Sequence, residues 1–164
     1  MKRTPMQPDF AAIPEIFHPW LKNCPVFDSS CSPEARVVYI EKEDGLYLKS
    51  APEGTLAREA AMTRFFHGKG FGTEVLDYRT EGGRDWMLTA RVPGEDCTHA
   101  NYLADPVRLC DLIATQLRAL HELSTDGCPI PDHTARYLAT VEHNYRTSNY
   151  DTSQFPDSFG YPSA

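Results

Sequence analysis

The texture of the sequence changes at Pro93-Gly94-Glu95-Asp96, from mostly strand-like to helical, and that change limits the folds available to it. Before this point the apolar residues fall in short runs rich in β-branched and aromatic side chains, the composition of half-buried strands. The runs are Cys24–Asp28, Arg36–Glu41, Leu46–Lys49, Glu74–Tyr78 and Trp86–Arg91. Glu43-Asp44-Gly45 and Gly82-Gly83 punctuate them, with glycine supplying the positive φ of tight hairpins. One helix interrupts the strands, from an expected N-cap at Thr55 to about Gly68. Leu56, Ala60 and Phe66 recur there at near-helical spacing, with Met62 and Phe65 beside them, and Gly68 and Gly70 supply the stop. The prolines at 5, 8, 14 and 19 predict an irregular lead-in with one short helix.

After Pro93-Gly94-Glu95-Asp96 the period is helical. Asp105-Pro106 opens a strong helix, with Asp at the cap and Pro in the first turn. Leu109, Leu112, Ile113, Leu117, Leu120 and Leu123 form its apolar face. Asp126-Gly127 and Pro129-Ile130-Pro131 end it, and a further helix is expected over Thr134–Arg146. The fold class is therefore α+β, a small antiparallel sheet with one helix laid on it, followed by a partial helical layer. The expected division is residues 1–92, a linker or hinge at 93–97, and residues 98–164. A helix with so wide an apolar stripe must bury it against something. Self-association through these helices is accordingly expected.

The 164 residues are 41% hydrophobic and 24% charged, ordinary values for a globular protein. Sixteen basic residues against 23 acidic ones give a formal charge of -7, and the isoelectric point is near 5.3. That balance demotes a generic nucleic-acid binder, whose footprint is basic. Cys24, Cys31, Cys97, Cys110 and Cys128 are odd in number and contain no C-x-x-C pair, which fits neither a disulfide framework nor a zinc site. Reduced thiols in a cytoplasmic protein are the expectation. No apolar run follows the charged N-terminus as a signal peptide requires, and no stretch approaches the ~20 apolar residues of a membrane span.

The constellation with the most chemical content is Lys49 at the end of a strand and Glu59 inside the next helix. A lobe that binds a nucleotide for phosphoryl transfer needs a strand lysine on phosphate oxygens and a helix carboxylate to hold that ammonium. Taken alone, a strand lysine and a helix glutamate are ordinarily solvated surface residues. The surrounding words add specificity. Leu46-Tyr47-Leu48-Lys49, Arg58-Glu59-Ala60, Val92-Pro93-Gly94-Glu95-Asp96-Cys97 and Leu120-His121-Glu122-Leu123 resemble the aminoglycoside 3'-phosphotransferases, ATP-dependent antibiotic-resistance kinases with a protein-kinase-like fold. The resemblance runs from about Phe17 to the end of the chain. It includes Asp28-Ser29-Ser30-Cys31-Ser32-Pro33-Glu34-Ala35 and Phe155-Pro156-Asp157-Ser158-Phe159-Gly160-Tyr161.

The resemblance implies a nucleotide-binding N-lobe over 1–92 and the first part of a C-lobe over 98–164. It implies that Lys49 contacts the α- and β-phosphates of ATP, that Glu59 pairs with Lys49 and that Tyr47 stacks on adenine. It further implies that the backbone around Ala90 and Val92 hydrogen-bonds the adenine edge, and that the loop carrying Ser30 and Ser32 lies over the phosphates. No G-x-G-x-x-G is present, but a serine-bearing loop can present N–H groups and hydroxyls to phosphate. Asp151 and Asp157 fall where the family begins its substrate loop and could meet the ammonium groups of an aminoglycoside.

Such a kinase also needs a catalytic-loop Asp, a downstream Asn and an Asp-x-Gly metal ligand for magnesium. Of the histidines at 18, 67, 99, 121, 133 and 143, only His67 precedes a glycine, and Lys69 follows where the family carries Asp. Asp157-Ser158-Phe159-Gly160 has one residue too many for the metal motif. The catalytic Asp is thus expected beyond Ala164, no metal ligand is assigned within the 164 residues, and the chain reads as the first part of a longer enzyme. The alternative is a non-catalytic nucleotide-lobe remnant or regulatory module. His121 is expected to pack structurally near the helix's apolar face, and the tyrosines of the last third to pack the lobe.

Overall fold

In a computed structural model, residues 3–150 are described. The chain divides into two compact units, residues 1–129 and 130–164. The first unit is built on a six-stranded antiparallel sheet: β1 (Thr4–Pro5), β2 (Val26–Asp28), β3 (Arg36–Ile40), β4 (Leu46–Pro52), β5 (Val75–Glu81) and β6 (Arg84–Ala90). Their spatial order is β1-β2-β3-β4-β6-β5. Helix α1 (His18–Leu21) precedes β2, α2 (Ala57–Gly68) connects β4 to β5, and α3 (Ala100–Leu103) and α4 (Pro106–His121) follow the sheet. The second unit contributes α5 (His133–Arg146). The α+β class expected from the change of texture is the class observed.

Alternation along the strands gives the sheet two different faces. Val38 and Ile40 of β3, Leu46 and Leu48 of β4, and Trp86 and Leu88 of β6 form one core with Phe17, Leu21 and Val26. The lead-in is thus more ordered than its prolines suggest. It supplies Phe17 and Leu21 to this core, and Thr4 and Pro5 pair with Asp28 and Phe27 as an edge strand. An edge tolerates a proline because the missing N–H has no ladder to break. Ala51 of β4 and Met87 of β6 belong to a second, smaller cluster with Leu56 and Ala60 of the α2 region.

Two hairpin turns are built as their glycines demand. Glu81 pairs with Arg84 across Gly82 and Gly83, both at positive φ (62° and 71°), the two-residue connection whose twist suits paired strands. Gly45, at φ 102°, lies so close to Tyr39 that an added Cβ would stand 2.7 Å from its hydroxyl oxygen.

The start of α2 differs from expectation. Thr55 does not cap it: its hydroxyl donates to the Pro52 carbonyl at 2.6 Å, and the helix begins at Ala57 with Leu56 in the cap position. The acceptor comes from across the sheet. Asp85 of β6, fully buried, takes the Leu56 N–H on Oδ2 at 2.9 Å and the Thr80 hydroxyl on Oδ1 at 2.7 Å. Burial alone would push this carboxyl up. Hydrogen bonds from Thr80, the Leu56 and Gly54 N–H groups and Tyr78 outweigh burial and hold it below its ordinary value. A depressed carboxyl contributes stability above the ordinary carboxylate range, and that contribution is lost as pH falls through the depressed folded value.

Helix α4 starts as read: the Asp105 carboxylate accepts the Arg108 N–H at 3.1 Å, with Pro106 at the first position. Of its apolar stripe, Leu112, Ile113 and Leu117 are exposed, Leu117 by 48%, while Leu109, Leu120 and Leu123 are half-buried. His121 is likewise exposed rather than packed. Within α5, Tyr137 and Tyr145 are exposed too rather than packed, and Tyr145 stacks with Tyr150, ring centroids 6.1 Å apart; Phe155, Phe159 and Tyr161 lie outside the described residues.

Gly45→Ala should lower stability by about 1–3 kcal/mol, from the positive φ and the approach to Tyr39. Urea unfolding with an unchanged m-value is the measurement, and wild-type stability would show that the turn and Tyr39 yield freely.

Candidate functional site

Lys49 sits near the middle of β4, across from Val37 on β3 and Met87 on β6. Glu59 lies in the first turn of α2, where a carboxylate is also favoured by the helix dipole. The Lys49 ammonium donates to both Glu59 oxygens, at 2.9 Å to Oε1 and 2.7 Å to Oε2. The two side chains are 28% and 43% exposed. A pair this wet contributes at most about 1 kcal/mol to stability, so its consequence is positional. It fixes a cation on the sheet face that carries α2.

That cation borders a cavity of about 330 Å³ lined by Ser29, Cys31, Ser32, Ala35, Val37, Tyr47 and Lys49. The loop between β2 and β3 roofs it and braces itself. Asp28 accepts the Ser30 N–H at 2.8 Å, the Val37 N–H donates to the Ser30 hydroxyl oxygen at 3.0 Å, and the Ser29 N–H donates to the Val37 carbonyl at 2.9 Å. Hydrogen bonds from the Ser30 N–H and hydroxyl hold the Asp28 carboxyl below its ordinary value, with help from nearby Arg36. The Ser32 hydroxyl does the same for Glu34. Ser30 therefore shapes the loop, while Ser32 lines the cavity.

Tyr47 closes another side. Its ring lies 5.2 Å from that of Tyr39, its cross-strand partner. The Arg3 guanidinium covers the Tyr39 ring, 3.5 Å from the centroid, and donates to the Tyr47 hydroxyl at 2.9 Å. At the end of β6 the Ala90 N–H is spent on the Glu74 carbonyl at 3.0 Å, and the Ala90 carbonyl accepts the Thr73 hydroxyl. The Arg91 N–H is spent on the Gly45 carbonyl at 2.9 Å. No hydrogen bond joins the Val92 N–H to a described residue.

Of the residues named from sequence, Ser32, Tyr47 and Lys49 meet in one cavity, with Glu59 bonded to Lys49. Ser30, Ala90 and Val92 do not line it. Asp157 and Asp151 lie outside the described residues. Sequence reasoning missed Arg3 and Asp85. Arg3 left no signal, being separated from Tyr47 by 44 positions. Asp85 left one: an acid at the alternation position shared with Met87 and Thr89, directly before the apolar run Trp86-Met87-Leu88. Among the described residues no group of three His, Cys, Asp or Glu could hold a metal ion. All five cysteines are free, and among the described residues no helix is long and apolar enough to cross a membrane.

Residues 33–159 match the phosphotransferase enzyme family. A probable aminoglycoside 3'-phosphotransferase of Lactococcus lactis subsp. lactis (strain IL1403) is 45% identical over 136 residues, 83% of this chain. The chain spans 52% of the length of that relative. With the family matched over most of its residues, the chain belongs to the phosphotransferase enzyme family.

Proposed function

We propose that this chain is the nucleotide-holding part of an ATP-dependent aminoglycoside O-phosphotransferase, an antibiotic-resistance kinase of the cytoplasm. The observation that supports the reading best is the Lys49–Glu59 pair at the edge of the cavity. In this reading the Lys49 ammonium meets the α- and β-phosphate oxygens while Glu59 keeps it from swinging into solvent. Tyr47 offers a ring face to adenine. The Val92 N–H and the second lone pair of the Ala90 carbonyl offer a donor and an acceptor to the base edge. The loop bearing Ser30 and Ser32 covers the phosphates, and Pro93–Cys97 is the hinge between the lobe of residues 1–92 and the helical region of 98–164. Asp157 would face the cationic aminoglycoside. Such a scaffold acts by positioning and by charge placed in advance.

The catalytic Asp and the ligands of the magnesium ion that accompanies ATP are not assigned to these residues. A bound magnesium would neutralise charge on the phosphates; the residues present hold and orient the nucleotide without it. The 164 residues should therefore bind ATP and transfer nothing. Titration calorimetry with ATP tests the first half, and mass spectrometry of kanamycin after incubation with Mg-ATP tests the second. Lys49→Ala should weaken ATP about 10- to 150-fold, the loss of one charge-assisted contact of roughly 1.5–3 kcal/mol. Glu59→Gln should weaken it about two- to fivefold, since the phosphate contact survives. Equal affinities for all three proteins would end the assignment of Lys49, and phosphorylated kanamycin above a no-protein blank would end the claim that the transferring groups lie elsewhere.

We also propose that the chain self-associates through the apolar stripe of α4. Sedimentation velocity should show dimers or larger species that dissociate when Leu112, Ile113 and Leu117 are changed together to Lys. A sharp monomer at tens of micromolar would overturn it.

A further inference from the structure

The carboxylate of Asp85 does not line the cavity. It is nevertheless the only buried charged side chain in the described core. Its bonds join three elements: its own strand β6, Thr80 on β5, and the Leu56 N–H at the start of α2. Burying a carboxylate is costly unless its lone pairs are filled, and here donors from Thr80, Leu56, Gly54 and Tyr78 fill them. A neutral acceptor would have satisfied the same N–H more cheaply. What the buried acid adds is location, because its acceptor is fixed to the sheet rather than to the helix.

The consequence follows from spacing. Glu59 is three residues after Leu56, within one turn of the anchored N–H. Lys49 pairs across the ladder with Met87, two residues after Asp85 and on the same side of β6. Between these points Ala51 and Met87 pack against Leu56 and Ala60. Besides this packing, helix α2 has two polar attachments to the sheet, a dry one at Asp85 and a wet one at Lys49. The wet contact is too weak to place a helix by itself. The dry one lies deep enough to do so.

We infer that Asp85 is a positioning residue: by fixing the start of α2 to β6 it sets Glu59 against Lys49, and through that pair it sets the lysine that the nucleotide reading assigns to the phosphates. The last step rests on that reading; the first does not.

The test separates them. Treating the folded 164-residue chain with a water-soluble carbodiimide joins a lysine amine and a carboxylate in contact as an amide, with loss of water to the reagent's urea. Peptide mass spectrometry then reads the Lys49–Glu59 cross-link without any nucleotide. Asp85→Ala should reduce that cross-link severalfold, while Asp85→Asn, which keeps one carbonyl acceptor for the Leu56 N–H, should retain most of it. Should Asp85→Ala fail to fold, Thr80→Ala removes the donor that orients the carboxylate and should give a smaller loss in the same direction. In ATP titrations Asp85→Ala should weaken affinity by about the factor of Glu59→Gln, and the double variant should be no weaker than either alone. An undiminished cross-link in a destabilised Asp85→Ala protein would overturn the inference and leave Asp85 a purely structural cap. A lost cross-link with multiplying effects on ATP affinity would overturn its second step. A wild type that cross-links but does not bind ATP would end the nucleotide reading while leaving the positional one standing.

Discussion

The seven-residue ladder between β4 and β6 is the constraint on which the rest of the molecule depends. It lies inside the sheet, with β3 on one side and β5 on the other. Its register pairs Leu48 with Leu88 on the core face and Lys49 with Met87 on the other. A slip of β4 by one residue would turn Leu46 and Leu48 outward and bury the lysine. The hydrophobic effect therefore fixes the register, and the register fixes where the charge emerges. The pairing of Leu46 with Ala90 also ends the ladder where the chain leaves the sheet toward Val92, so the cavity and the exit segment share one frame.

The two charged interactions of α2 divide the work between them. The Lys49–Glu59 pair is exposed to water and can be remade around a ligand without large cost. The Asp85 carboxylate is dry and fully bonded, and breaking it would strand a buried charge. The start of the helix thus has a firm attachment at Leu56 and a soft one at Glu59, both within its first turn.

Much of this was legible in the sequence, for physical reasons that differ from place to place. The strands could be read because β-branched and aromatic residues alternate between glycine turns. Helix α4 could be read because Asp105 and Pro106 are local signals whose partners lie within one turn. The Lys49–Glu59 contact was legible from residue type, order and the words around it. What escaped reading depends on partners distant in sequence. Thr55 looked like a cap because it stands at the right place, but its hydroxyl turns back to Pro52 and the helix start is held by Asp85, 29 positions away from Leu56. The edge strand at Thr4–Pro5 was hidden by its proline, and the Arg3 contact with Tyr47 by chain separation. The exposure of His121, Tyr137 and Tyr145 was hidden because helical periodicity states which residues share a face and not whether that face is covered.

The central claim is that the sheet face bearing Lys49 is built to receive a nucleotide. Backbone amide spectra of the isotope-labelled chain, recorded as ATP is added, test it most directly. The account predicts that the largest shifts fall on Ser30 to Ser32, on Tyr47 to Lys49 and on the Val92 N–H, with α5 unmoved. Shifts confined to α4 or α5, or none at saturating ATP, would contradict it.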